Sequence, residues 1–242
     1  MRRTLICCLT LLAFLGADLQ STPAVGQGYP GGPGQMPGGR GSMSQPGGET
    51  SSAPLADKPD AAARKAFSAG VKSLNRAREL EEAAEKATNP DKKAAMIDKI
   101  GDAYGKALDQ FTEVLRNNGN AADAWNNVGY IHLRLGAYNE SIDDYNHALA
   151  IKADSFEAVA HRGEAYLAVD RLDDAKAAYM YLFNHARPLA DLLMASMQKW
   201  LESHRAAANG MRAADIGSFG KWVEERDGIA KQTASAAAST PR

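Results

Sequence analysis

Cysteine is almost absent from this chain of 242 residues: there are two, Cys7 and Cys8, side by side near the start. Whatever follows them folds without a disulfide, a thiolate nucleophile or a cysteine-bound metal. Many small exported folds depend on disulfides, so the core here must be large enough to stand without them. A surplus of charge is missing as well. The formal net charge is −1, and residues 60–242 carry 24 Lys plus Arg against 26 Asp plus Glu. That balance argues against a dedicated nucleic-acid binder, which shows a basic surplus or stripe. Nor is there a hydrophobic run of membrane-spanning length: "TLICCLTLLAFLG", residues 4–16, is too short to cross a bilayer comfortably.

That short run does have a use. It follows a basic start, "MRR", and is followed by small residues in "LGAD" and "TPAVGQ". This is the build of a secretory signal peptide over residues 1–24, with cleavage points after Ala24, Gly26 or Ala17. Export to a periplasm or to the extracellular space is the expectation, with a short uncleaved anchor as the alternative. Arg2 and Arg3 hint at twin-arginine export, and "LICC" lacks the small residue that a lipoprotein needs before its cysteine. Residues 21–59 then hold seven of the ten prolines and ten of the 22 glycines, with hardly a large apolar side chain. Such a segment buries too little surface to offset its ordering entropy, so 25–59 reads as a disordered tether.

From residue 60 the pattern changes and a repeat emerges. Gly129 and Gly163, Ser141 and Ala175, and Tyr145 and Tyr179 each lie 34 residues apart. One step back, Tyr104, Ala107 and Phe111 correspond to Tyr138, Ser141 and Tyr145. Within a repeat the period is helical: Tyr138, Ser141, Ile142, Tyr145, Ala148 and Leu149 share one helix face. Trp125, Val128, Gly129 and His132 trace a face of the helix before it, and "RLGAY" separates the two at Gly136, where a left-handed backbone is cheap. Each repeat is therefore a helical hairpin, with Gly129 and Gly163 at close helix contacts.

These residues resemble the tetratricopeptide repeat (TPR) family. Residues 122–155 match its pattern through Trp125, Val128, Gly129, Ser141, Tyr145 and Ala148; residues 156–189 match through Gly163, Tyr166, Ala175 and Tyr179. His132, Arg162 and Ala153 depart from it, standing where a tyrosine, an apolar residue and a proline are usual. The resemblance implies an all-α solenoid of TPR-like hairpins over 60–187. The first repeat is stretched: Ala107 follows Gly70 by 37 residues where the other repeats have 12. An extended first hairpin over 60–117 accommodates this, with Asn89 as N-cap and Pro90 at the first helical position; three separate helices are the rival. Apolar stripes in 188–207 and 215–232 read as a C-terminal helical cap, 188–232, and 233–242 as a frayed tail.

Chemistry is hard to find. His132, His147, His161, His185 and His204 form no H-E-x-x-H motif, and His161 with Glu164 gives two metal ligands without a third. Asp143–Asp144 and Asp173–Asp174 are adjacent on helices and so diverge, which fits a solvated face. The glycine-rich segment lacks G-x-x-x-x-G-K-[ST] and a preceding strand. Trp125, Trp200 and Trp222 fall on apolar stripes and read as core. No catalytic constellation, metal site or cofactor site is expected, and the chain reads as a non-enzyme.

What the TPR resemblance implies instead is binding of a protein or peptide segment in a concave groove lined by the first helix of each hairpin. The matching positions are Asp123, Asn126, Tyr130, Leu133 and Arg134, then Glu157, Ala160, Glu164, Leu167 and Ala168. The first hairpin would add Arg64, Phe67, Val71, Leu74 and Asn75. Because the core face of its helix is taken by other residues, Tyr130 is expected to be free for a ligand, flanked by Asn126 and Arg134. An exported adaptor or scaffold is the leading expectation. The alternatives are a structural protein that self-associates into a homo-oligomer through its long hairpin and cap, and an accessory domain of an envelope enzyme complex.

Overall fold

The computed structural model describes residues 61–206 and 213–239. The segments read as signal peptide and tether lie outside the described residues. Those residues form eight helices: α1 (Ala61–Glu85), α2 (Pro90–Asn117), α3 (Ala122–Arg134), α4 (Tyr138–Ile151), α5 (Phe156–Ala168), α6 (Leu172–His185), α7 (Arg187–Ala206) and α8 (Ala213–Ser239). Helices α1/α2, α3/α4 and α5/α6 pair as hairpins, each hairpin leans on the next, and α7 with α8 closes the end. The protein is an all-α, TPR-type solenoid with an extended first hairpin and a helical cap.

The repeat reappears as a packing rule. Phe111, Tyr145 and Tyr179, spaced by 34, are all fully buried. In the first hairpin a Cβ on Gly70 would come within 2.9 Å of the Phe111 ring; in the second, one on Gly129 would lie 3.0 Å from the Tyr145 ring. Each ring of the second helix thus sits on bare backbone of the first. Ser141 sits beside Gly129 and donates its hydroxyl to the Gly129 carbonyl at 2.8 Å. Gly163 breaks the rule. Its nearest neighbours would be Leu193 of α7 at 2.7 Å and Ala178 at 3.3 Å, so there the bare backbone admits the cap.

Turns repeat too. Gly136 takes the left-handed backbone its position calls for, with φ 77°, and 34 residues later Asp170 does the same at φ 59°. Asp is one of the few side chains that tolerate that region.

The first hairpin is two helices, and long ones. Helices α1 and α2 have 25 and 28 residues against 13 and 14 in α3 and α4. Their lengths are about 37 and 42 Å at 1.5 Å per residue. Asn89 caps α2 by accepting from the Lys92 amide at 2.9 Å, with Pro90 in the first helical turn. At the other end, α8 continues through Ser239, into the stretch read as a frayed tail. The alanine-rich sequence "TASAAAS" has high helix propensity, and Arg187 of α7 holds this region by donating to the Ala230 carbonyl at 2.7 Å and the Thr233 hydroxyl at 3.1 Å.

Two further expectations are corrected. Asp144 is not on a solvated face: it is buried, and its carboxylate accepts from His132 Nδ1 at 2.6 Å. This bond explains the histidine at a position where the repeat usually has a tyrosine. Trp125 is half-buried rather than core, stacked on His147 and donating its indole N–H to the Gly119 carbonyl at 2.8 Å. It pins the loop between hairpins. Trp222 is likewise half-buried, and Trp200 alone of the three is enclosed.

Candidate functional site

Helices α3, α5 and α7 present successive faces to one side of the solenoid, and a cleft opens between them. Its volume is about 210 Å³, and it is lined by Leu133, Arg134, Tyr138, Glu164, Leu167, Ala168, Ser196, Lys199 and Trp200. Five of the ten groove candidates from α3 and α5, Leu133, Arg134, Glu164, Leu167 and Ala168, meet there. Leu133, Leu167 and Trp200 are mostly enclosed and form an apolar wall. Glu164 accepts from the Ser196 hydroxyl at 3.0 Å, which links α5 to α7 across the cleft.

The remaining candidates lie elsewhere. Asp123 and Glu157 are exposed at the starts of α3 and α5, outside the cleft, and Ala160 is buried in the core. Asn126 is half-buried, with its side-chain oxygen enclosed and lacking a hydrogen-bond partner. Tyr130 is half-buried and already meets two neighbouring side chains. The Arg78 guanidinium lies 4.5 Å over its ring, and the His161 ring meets it edge-on at 5.3 Å. Arg134 is likewise committed, holding Glu81 at 2.9 Å. Both side chains therefore serve contacts between hairpins, and of the two only Arg134 also lines the cleft.

Of the first-hairpin candidates, Leu74 is buried in the core, Phe67 packs edge-on against Phe111 at 5.4 Å, and Arg64 and Asn75 are exposed. The residues of α1 that do reach α3 are Arg78 and Glu81. The signal for them was present: 67, 71, 74, 78 and 81 continue one helical stripe past the point where an ordinary repeat helix ends. Tyr138 opens α4 and was read only as part of that helix's packing face, whereas Ser196, Lys199 and Trp200 belong to the cap. The cap departs from the repeat pattern, and no spacing rule carries over to it.

Burial pushes the Tyr104 and Tyr145 hydroxyls well above the ordinary tyrosine range, and nearby carboxylates (Glu81 for Tyr104, Glu164 for Tyr145) act in the same direction. Burial also holds His161 below its ordinary value, with Glu164 opposing the shift. His161 is therefore neutral near pH 7, packed between Tyr130 and Tyr145. Among the described residues no three His, Cys, Asp or Glu side chains gather as metal ligands. The cleft offers apolar walls, the Lys199 ammonium, the Arg134 guanidinium already paired with Glu81, and the Glu164 carboxylate.

Comparison with known proteins agrees with the repeat assignment. Residues 122–155 match the family described as Tetratricopeptide repeat. Among solved structures, one described as "MamA RS-1 ArsTM double mutant" is similar at 18% identity, over 70% of this chain and 98% of its own, with a TM-score of 0.34. A likeness that loose carries no argument about function. No curated protein matches the sequence.

Proposed function

We propose that the chain, whose residues 122–155 match the Tetratricopeptide repeat family, is a non-catalytic exported adaptor. Repeats of this kind make protein-interaction scaffolds. The finer reading is that the cleft between α3, α5 and α7 holds a peptide segment of a protein partner. One observation carries it: side chains from three consecutive layers, an apolar wall and the Lys199 ammonium among them, converge on a single concavity. An apolar side chain of the partner would enter between Leu133, Leu167 and Trp200, and a neighbouring carboxylate would meet Lys199. Export rests on the composition of residues 1–24.

Panning a displayed peptide library against the full chain tests the reading. Enriched peptides should carry an apolar residue next to an acidic one. They should bind the Ala168→Trp variant, whose cleft is filled, at least tenfold more weakly, about 1.4 kcal/mol. Undiminished binding by a variant with unchanged helical circular dichroism would place the binding surface elsewhere.

A further inference from the structure

The lengthened first hairpin creates a second concavity. It lies between α1 and α2 and measures about 360 Å³. Lys72 and Arg76 approach from α1, and Lys99 and Lys106 from α2, with Asp102 between the two lysines and Leu80 and Ala103 as a mostly buried floor. Lys72 and Arg76 are four residues apart and Lys99 and Lys106 seven, so each pair shares a helix face. At 3.6 residues per turn, Lys72 and Arg76 point roughly opposite to Arg78, which contacts α3. This cleft is therefore separate from the groove and faces away from α3. It depends on the extension: Arg76 and Leu80 lie past Asn75, the counterpart of the last residue of α3, and Lys99 precedes Tyr104, the counterpart of the first residue of α4.

The charge pattern is out of keeping with the rest of the molecule. Four cations and one carboxylate line this cleft in a chain whose net charge is −1. Arg76 is partly matched by Glu79 at 3.1 Å, whereas Lys72, Lys99 and Lys106 make no ion pair among the described residues. All four cations are exposed, so gathering them around one concavity is mildly unfavourable and the repulsion is screened by salt. A bound anion reverses the sign of that energy. Three of the four cations are lysines, compact point charges that suit phosphate oxygens, whereas planar carboxylate recognition favours the arginine fork. The concavity measures about 360 Å³, a volume that accommodates a compact anion.

We propose that the cleft between α1 and α2 is a binding site for a compact phosphate-bearing anion, either a free diphosphate or a phosphomonoester headgroup. The test titrates the full chain with inorganic pyrophosphate by calorimetry and, in parallel, with phosphatidylcholine vesicles containing phosphatidic acid. Pyrophosphate should bind with a Kd below about 1 mM, weakening with salt. The variant Lys72→Gln/Lys99→Gln/Lys106→Gln should lose at least about tenfold, and Asp102→Asn should gain about threefold. A charge-matched control, Lys152→Gln/Lys221→Gln/Lys231→Gln, should leave binding unchanged. Vesicle binding alone, with the same variant pattern, supports the site with a headgroup as its source. Failure of both probes, equal loss in the control, or no effect of Asp102→Asn would overturn the proposal. So would capture of a polyglutamate peptide without binding of either phosphate probe.

Discussion

A single missing side chain decides how closely two helices approach, and its effect depends on what stands opposite. Gly163 faces Leu193 and Ala178 of neighbouring helices, both nearly fully enclosed, at distances that a Cβ could not keep. Gly105, in the middle of α2, has nothing within 4 Å of where its Cβ would be. The two glycines should therefore respond to substitution with opposite signs. Gly163→Leu is expected to cost about 3 kcal/mol or more through overpacking, while Gly105→Ala should gain about 0.5–1 kcal/mol from helix propensity and backbone entropy. Urea unfolding of both variants checks this. Coincident midpoints for Gly163→Leu and the unmodified protein would mean that the interface with α7 is not as close as described.

At the scale of elements, the extension of the first hairpin matters because it carries α1 past the end of its own repeat and alongside α3. Arg78 caps the face of Tyr130, and Glu81 holds Arg134 at 2.9 Å. About a third of the Arg134 side chain and less of Glu81 remain exposed, so the pair is only partly screened by solvent. Removing either partner should destabilise the protein, and a double-mutant cycle of Glu81→Ala with Arg134→Ala should return a coupling of about 1 kcal/mol. An additive cycle would show that the extension does not brace α3 through this pair. The same contacts set a condition on groove mutagenesis: alanine at Tyr130 or Arg134 removes packing between hairpins, so lost binding in such variants mixes two effects. Ala168 is the better probe because filling the cleft leaves those contacts in place.

For the whole molecule the question is how a stack of open-ended hairpins terminates. The last hairpin would present Tyr179, Leu182 and Gly163 to water without α7 and α8. Leu193, Met197 and Trp200 of α7 and Phe219 of α8 join them in one apolar cluster. Phe219 is fully buried and meets the Trp200 ring edge-on at 5.4 Å. Phe219→Ala should cost about 3–5 kcal/mol, a large share of the roughly 5–15 kcal/mol that holds a typical domain folded. Thermal melting followed by far-ultraviolet circular dichroism measures this. A melting temperature unchanged by the substitution would mean that α8 rests on the solenoid without sealing it.

The sequence by itself determined the helical hairpins, their 34-residue period and the placement of Phe111, Tyr145 and Tyr179 in the core, because those depend on spacing along one chain. It also located Gly136 at a left-handed turn and Asn89 at a helix cap, both local events. What surrounds a groove residue is not local. Tyr130 looked available from its own helix, and only the neighbouring α1 and α5 bring Arg78 and His161 against it. Asp144 looked solvated beside Asp143, and only the pairing of α3 with α4 sets His132 on its carboxylate. The cap residues that complete the cleft, Ser196, Lys199 and Trp200, follow no repeat and were fixed by how α7 docks on α5. Periodicity states which face a residue occupies; the tertiary fold alone states what that face meets.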